Sequence, residues 1–394
     1  MSARRSQRGF TLVEMMIAML ISTLLVGMIL AIFGRISLAY RGQQQISSLQ
    51  QILASARVAL DVDAKQSGLA MSSGFKIASD GATTHGVLHS PVVVTNSNSG
   101  PDQVAFFYAD PTSQAAVTAS GWPASLTFDD ASGFKANDLV VLSTPNTSTT
   151  NVLAPGVDAN VTTFDACVVQ ISSIVGTTVA FAQTGSWGLP LNTHCDGGSV
   201  FSPQANTGAN GTMMYKLVAH AYRINTTTAS PADGQLEMSP TGNLVPGLND
   251  WTVLGFGFTD LQVATDFFDN DAVDTPDPDA DPKRDWWSNG QQDLYTKGFF
   301  KDTAGGIAVP PIQMSISLVV RTDHDVEGVA TAATPVLEDV ANIPNNTIGD
   351  RGSFVLPATV GANCDAACVA ANSGSRIYRY STFTSDLRNM GVGR

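Results

Sequence analysis

Hydrophobic and polar positions divide the chain into three regimes. From residue 15 to residue 33 the side chains are almost all apolar, with no charge in 19 residues. As helix this run is about 28 Å long, against a bilayer hydrocarbon core of roughly 30 Å, so it can span a membrane. Beyond it the pattern becomes periodic. Ile46, Leu49, Leu53, Ala56 and Leu60 recur at alternating spacings of three and four, while Gln43, Gln44, Gln45, Gln50 and Arg57 fall largely elsewhere. No proline precedes Pro91. One helix is therefore expected over residues 10–66, about 85 Å long, with its second half laying a single apolar stripe on a folded domain.

From residue 67 the period shortens. Brief alternating apolar runs are separated by Ser, Thr, Asn, Gly and Pro, the signature of antiparallel strands. Strands are expected at 92–95, 103–108, 139–142, 167–171 with 179–181, 214–224, 251–263, 313–320 and 377–383. The clearest is the alternation of Met314, Ile316, Leu318 and Val320 with Gln313, Ser315, Ser317 and Arg321, as one buried face requires. The predicted fold is α+β: a long N-terminal helix packed on a large antiparallel β-rich domain, residues 67–394.

One stretch breaks this pattern. Residues 266–285 are dominated by aspartate, with three prolines and almost nothing apolar after Val273, and are expected to form an exposed acidic loop. Asp277, Asp279 and Asp281 alternate as in oxygen-ligand loops, which makes calcium the candidate ligand. An EF-hand register starting at Asp277 meets Pro282 and Ser288 where glycine and a bidentate acid belong. A solvated loop without a cofactor is the expectation. Phe267, Phe268, Trp286 and Trp287 flank it, as loop anchors or as a partner-binding hot spot.

Composition then excludes several functions. The chain has 394 residues, 43% hydrophobic and 14% charged, enough to bury a core. Its net charge is −13. Nucleic acid is excluded as a direct ligand, since phosphate neutralisation needs clustered Lys and Arg. No G-x-S-x-G, H-E-x-x-H, P-loop or dinucleotide fingerprint occurs, and His85, His89, His194, His220 and His324 are scattered singly. No enzyme is expected. The four cysteines, Cys167, Cys195, Cys364 and Cys368, allow three pairings. Cys167 with Cys195 and Cys364 with Cys368 are favoured because each closes a local loop, without excluding crossed links. A loop the size of the first contributes roughly 3 to 4 kcal/mol on the chain-entropy model. A zinc site is disfavoured, because C-x₃-C has no companion pair.

The N-terminus carries the most specific chemistry. Arg4, Arg5 and Arg8 with no acid in residues 1–9 keep that end cytoplasmic and send the chain beyond the helix across the membrane. Glu14 heads the apolar run, where a carboxylate is costly unless it finds a cation. An ordinary secretory signal would need a shorter apolar region, and a plain signal anchor gives Gly9, Phe10 and Glu14 no role. Gly9-Phe10-Thr11-Leu12-Val13-Glu14 resembles the processing site of type IV prepilins. The resemblance implies that prepilin peptidase removes residues 1–9 by cutting between Gly9 and Phe10, with N-methylation of Phe10. It also implies that Glu14 pairs with a neighbouring subunit's amine, and an unpaired carboxylate at that place is expected to have no structural use within one chain.

Further blocks narrow the resemblance. Tyr40-Arg41, Arg57-Val58-Ala59-Leu60-Asp61, Thr259-Asp260-Leu261-Gln262-Val263, Ile316-Ser317-Leu318-Val319-Val320-Arg321 and Tyr380-Ser381-Thr382-Phe383-Thr384 with Leu387-Arg388-Asn389 are similar, in that order, to PilW-type minor pilins. Residues 74–246 carry no such signal. The similarity implies a subunit that primes pilus assembly and sits near the tip, supporting adhesion or twitching motility. Its implied partners are other minor pilins, the major pilin, a tip adhesin and the inner membrane. The implied location is the inner membrane with a periplasmic domain, then the pilus. A J-type pseudopilin of a type II secretion system is the alternative, and a membrane-anchored secreted binding protein a remoter one.

Overall fold

The computed structural model describes residues 11–71, 75–77, 88–95, 101–122, 124–146, 163–181, 203–205, 211–225, 234–242, 250–268, 284–287, 300–301, 308–309, 311–322 and 378–387. Helix α1, Leu12–Gln66, is a single element of 55 residues. It begins at Thr11, whose side chain accepts from the Glu14 N–H, and ends at Ser67, just before Gly68 at φ 82°.

The strands come in chain order as β1 (Phe75–Ile77), β2 (Leu88–His89), β3 (Val92–Thr95), β4 (Gln103–Gly121), β5 (Ser125–Phe128), β6 (Leu139–Asn146), β7 (Thr163–Val175), β8 (Thr178–Phe181) and β9 (Met213–Asn225). After them come β10 (Gln235–Ser239), β11 (Thr252–Phe256), β12 (Phe258–Phe268), β13 (Arg284–Trp287), β14 (Phe300–Lys301), β15 (Ala308–Val309), β16 (Pro311–Arg321) and β17 (Tyr378–Asp386). Strands β1 to β11 make one large sheet, and β13-β12-β16-β17 a four-stranded one. Among the described strands pairing is antiparallel apart from β1 against β7, with one isolated parallel bridge between Ala219 and Thr241. The α+β architecture read from the hydrophobic pattern is thus the one observed.

Part of the large sheet closes on itself. The second half of β4 pairs β5, β5 pairs β8, β8 pairs β7, β7 pairs β6, β6 pairs β9, and β9 returns to β4. Closure removes free edges. Alternation fills the ring: Val140, Leu142, Cys167, Val169 and Ile171 join Phe128, Phe181 and Met214 in one buried cluster, while the intervening Val141 and Val168 join a different one.

Helix α1 packs where the two sheets meet. Leu49, Leu53, Ala56, Leu60 and Ala64 share a cluster with Phe106, Tyr222 and Leu236 of the large sheet and with Leu261, Val263, Met314, Ile316, Leu318 and Phe383 of the small one. Four members of the expected stripe are buried; Ile46, nearest the membrane end, is only half-buried. Each fully buried leucine contributes roughly 2 kcal/mol.

The structure corrects two boundaries. The run 251–263 is not one strand, because Gly257 at φ +85° ends β11 and starts β12, carrying the chain from the large sheet to the small one. A Cβ there would lie 2.8 Å from the Arg321 carbonyl oxygen, and the Arg321 N–H donates to the Gly257 carbonyl. The acidic stretch is also shorter than 266–285. Asp266, Phe267 and Phe268 belong to β12 and Arg284 to Trp287 belong to β13, paired as Asp266 with Trp286 and Phe268 with Arg284. Aromatic and β-branched residues at both ends favour the ladder over a loop. Asp277, Asp279 and Asp281 lie outside the described residues.

Leu60→Ala should destabilise the domain by about 2 to 4 kcal/mol, because the site is fully buried at the sheet junction. Denaturant unfolding of the full chain in detergent checks this, with Gln50→Ala on the exposed face expected to stay within about 0.5 kcal/mol of the parent.

Candidate functional site

Among the described residues the N-terminal half of α1 has no packing partner. Leu12 through Tyr40 include 19 large apolar side chains between 42% and 77% exposed, and none of the most apolar window is buried. A surface this apolar requires lipid or other helices. At its head, Glu14 Oε2 accepts from the Thr11 N–H and from Thr11 Oγ1, both at 2.9 Å, while Thr11 Oγ1 accepts the Glu14 N–H at 3.3 Å. This is a capping box. The expectation that Glu14 has no use within one chain is therefore corrected: in the isolated subunit it caps its own helix.

A second constellation fixes the other end of α1 to the large sheet. Asp63, 4% exposed, continues the buried stripe one turn past Leu60. Its Oδ1 accepts from Tyr108 Oη at 2.9 Å, and its Oδ2 accepts from Tyr222 Oη at 2.5 Å and pairs with His220 Nδ1 at 2.8 Å. Tyr108 comes from β4, and His220 and Tyr222 from β9. The chain immediately after the helix adds backbone bonds, Gly68 N–H to the Phe107 carbonyl and Ala109 N–H to the Leu69 carbonyl. Burial, and then the negative charge of Asp63, push both tyrosines well above the ordinary phenol range.

The small sheet holds the same helix from another side. The Arg57 guanidinium sits 5.2 Å from the Phe383 ring centroid, and Ser385 Oγ donates to Asp61 Oδ1 at 2.9 Å. Asp102 bridges the sheets, its side chain accepting the Val263 N–H and its own N–H donating to Leu261.

Among the other residues singled out from the sequence, Cys167 is fully buried on β7 and is disulfide-bonded. Gly9, Phe10, Cys195, Cys364 and Cys368 lie outside the described residues. Of the histidines, His220 is engaged with Asp63, and it is not the solitary residue that its sequence neighbours imply. Among the described residues no group of three or more His, Cys, Asp or Glu is placed to hold a metal. The Asp63 cluster was missed by sequence reading, although a carboxylate at the next stripe position after Leu60 was the available signal.

Comparison with known proteins agrees with the head of the helix. Residues 4–30 match the family model for the prokaryotic N-terminal methylation motif. The chain starts with a prepilin-type motif. That motif, leading into an apolar helix, supports a type IV pilin-like or pseudopilin subunit, anchored in the membrane by one pass and processed by prepilin peptidase. It covers the leader and first half of α1 only. No curated protein and no solved structure matches the chain.

The raised tyrosines give a pH dependence of definite sign. Both phenols stay protonated in the folded state past the value near 10 at which they ionise when unfolded. The stability they contribute is therefore intact below about pH 10 and falls as pH rises above it, since the unfolded chain releases protons first. Unfolding free energy measured from pH 8 to 11 should decline, and the decline should lessen in Tyr108→Phe with Tyr222→Phe. Asp63→Ala should cost about 2 to 4 kcal/mol at pH 8, by leaving buried donors without their acceptor.

Proposed function

We propose that this chain is a minor pilin of a type IV pilus, a non-enzymatic subunit that primes assembly and sits at or near the tip. The observation that carries the reading is one helix with two surroundings. Its first half bears the methylation motif and an uncovered apolar surface, and its second half is locked into a β domain by stripe, Asp63 and Arg57. Assembly by such a subunit needs no active site: the helix supplies the contact and the domain supplies identity.

The segments similar to PilW-type pilins support the minor-pilin form of this reading. They are scattered over more than three hundred positions of sequence, yet β12, β16 and β17 pair in register and meet the Arg57 to Asp61 turn of α1. The implied partners are other minor pilins, the major pilin and a tip adhesin, reached from the inner membrane. A J-type pseudopilin would use the same motif and helix, and the fibre in which the chain is recovered distinguishes the two.

In this reading Glu14 has two successive roles. It caps its own helix in the free subunit and turns to the methylated N-terminal amine of a neighbour in the fibre. Glu14→Gln separates them, because glutamine can still complete a capping box but carries no charge. Glu14→Gln and Glu14→Ala should both reduce recovery in sheared fibres while leaving membrane insertion intact. Wild-type recovery of Glu14→Gln would show that capping alone matters. The mature N-terminus, read by mass spectrometry, should be N-methylated Phe10; retention of the leader in cells with active prepilin peptidase would overturn the proposal.

A further inference from the structure

Beyond Tyr40, six large hydrophobic side chains are exposed among the described residues, and five of them sit on two elements that touch. Val253, Leu254 and Phe256 are 39%, 45% and 52% exposed on β11, and Val58 and Val62 are 62% and 45% exposed, one turn apart on the outer face of α1. Among the described residues β11 ends the large sheet, and it hydrogen-bonds to β10. Its Gly255 abuts the helix, where a Cβ would lie 3.4 Å from Cγ2 of Ile52. The register with β10 passes from Gly255 to Val253, which leaves Leu254 bulged out of the ladder.

A bare apolar edge strand is a liability in a solitary protein. We infer that β11 and the adjoining outer face of α1 form one lateral docking surface, and that its occupant is a second pilin-type subunit whose own N-terminal helix lies alongside α1. The inference rests on the proposed function and adds to it the face by which the domain meets its neighbour. The occupant is set by the helix. A neighbour that covers the exposed side chains from Leu12 to Tyr40 must itself carry a membrane-spanning helix, and two such helices, offset by about one turn when Glu14 of one meets the amine of the other, bring their extracytoplasmic domains to nearly the same height. The neighbour's domain is then presented to β11 at high effective concentration, so a modest apolar contact suffices. A soluble peptide has no such delivery.

The test places the photo-crosslinking residue p-benzoylphenylalanine at position 256 of the full chain, expressed in the cell that builds the fibre. Illumination should give an adduct whose peptides identify a protein with its own prepilin-type N-terminus. The same residue at position 175, where Val175 is 77% exposed in the β7 to β8 turn, should not. In parallel, Leu254→Asp with Phe256→Asp should lower recovery in sheared fibres about tenfold, while the melting temperature is unchanged because both side chains are already exposed. If the chain is recovered in fibres but position 256 gives no adduct, or one with a protein lacking that N-terminus, the docking surface is wrong and the proposed function stands. If the unmodified chain enters no fibre, both fall.

Discussion

A single helix in two solvents is the constraint on which this structure depends. Over its first half no face of α1 can be polar, because lipid surrounds it; over its second half only one stripe can be apolar, because water reaches the rest. The transition has to occur without breaking the helix, since a break would let the domain swing on its anchor. The largely polar run from Arg41 to Gln51 makes the transition with Gln43, Gln44, Gln45, Gln50 and Gln51 as helix formers and no proline, and the helix continues through Gly42. Everything the domain contributes must then be fixed to the last few turns of the helix.

The stripe alone would not fix it. Leucine and alanine contacts are non-directional, and a helix can slide by one turn against an apolar surface at modest cost. The polar ties remove that freedom. Asp63 meets three side chains from two strands, and any slip leaves a buried carboxylate facing unmatched donors, a larger penalty than the contacts themselves return. Arg57 and Asp61, on the flank of the helix toward β17, do the same for the small sheet. Sheets on two sides of one helix are thereby held in register with each other, with Asp102 adding a direct bridge.

Legibility in the sequence tracks the range of the forces. Helix α1 was readable because its stripe is local and periodic, and β3 was read with its observed bounds because Val92 to Thr95 is a short apolar run between turn residues. The ring of β4 to β9 was not readable, since closure is a statement about partners, and β4 continues through Asp110 to Gln114 where composition argues for a turn. β5 and β10 were missed for the related reason that Ser125-Leu126-Thr127-Phe128 and Gln235 to Ser239 are too short to show a period until a neighbouring strand supplies it. The prepilin-type motif within residues 4–30 was legible, being linear. The capping role of Glu14 was overlooked although Thr11 three residues before it is the sequence form of a capping box.

The two sheets also divide the sequence signal. The segments similar to minor pilins lie on α1 and the small sheet, and the ring, built from residues 103–225, falls within the stretch with no such signal. The ring carries a core of its own in Phe128, Phe181, Met214 and the buried Cys167, and it reaches the helix through Phe106 and Tyr108 of β4 and His220 and Tyr222 of β9. Such a unit can change its outer residues freely while its inward-facing positions stay apolar.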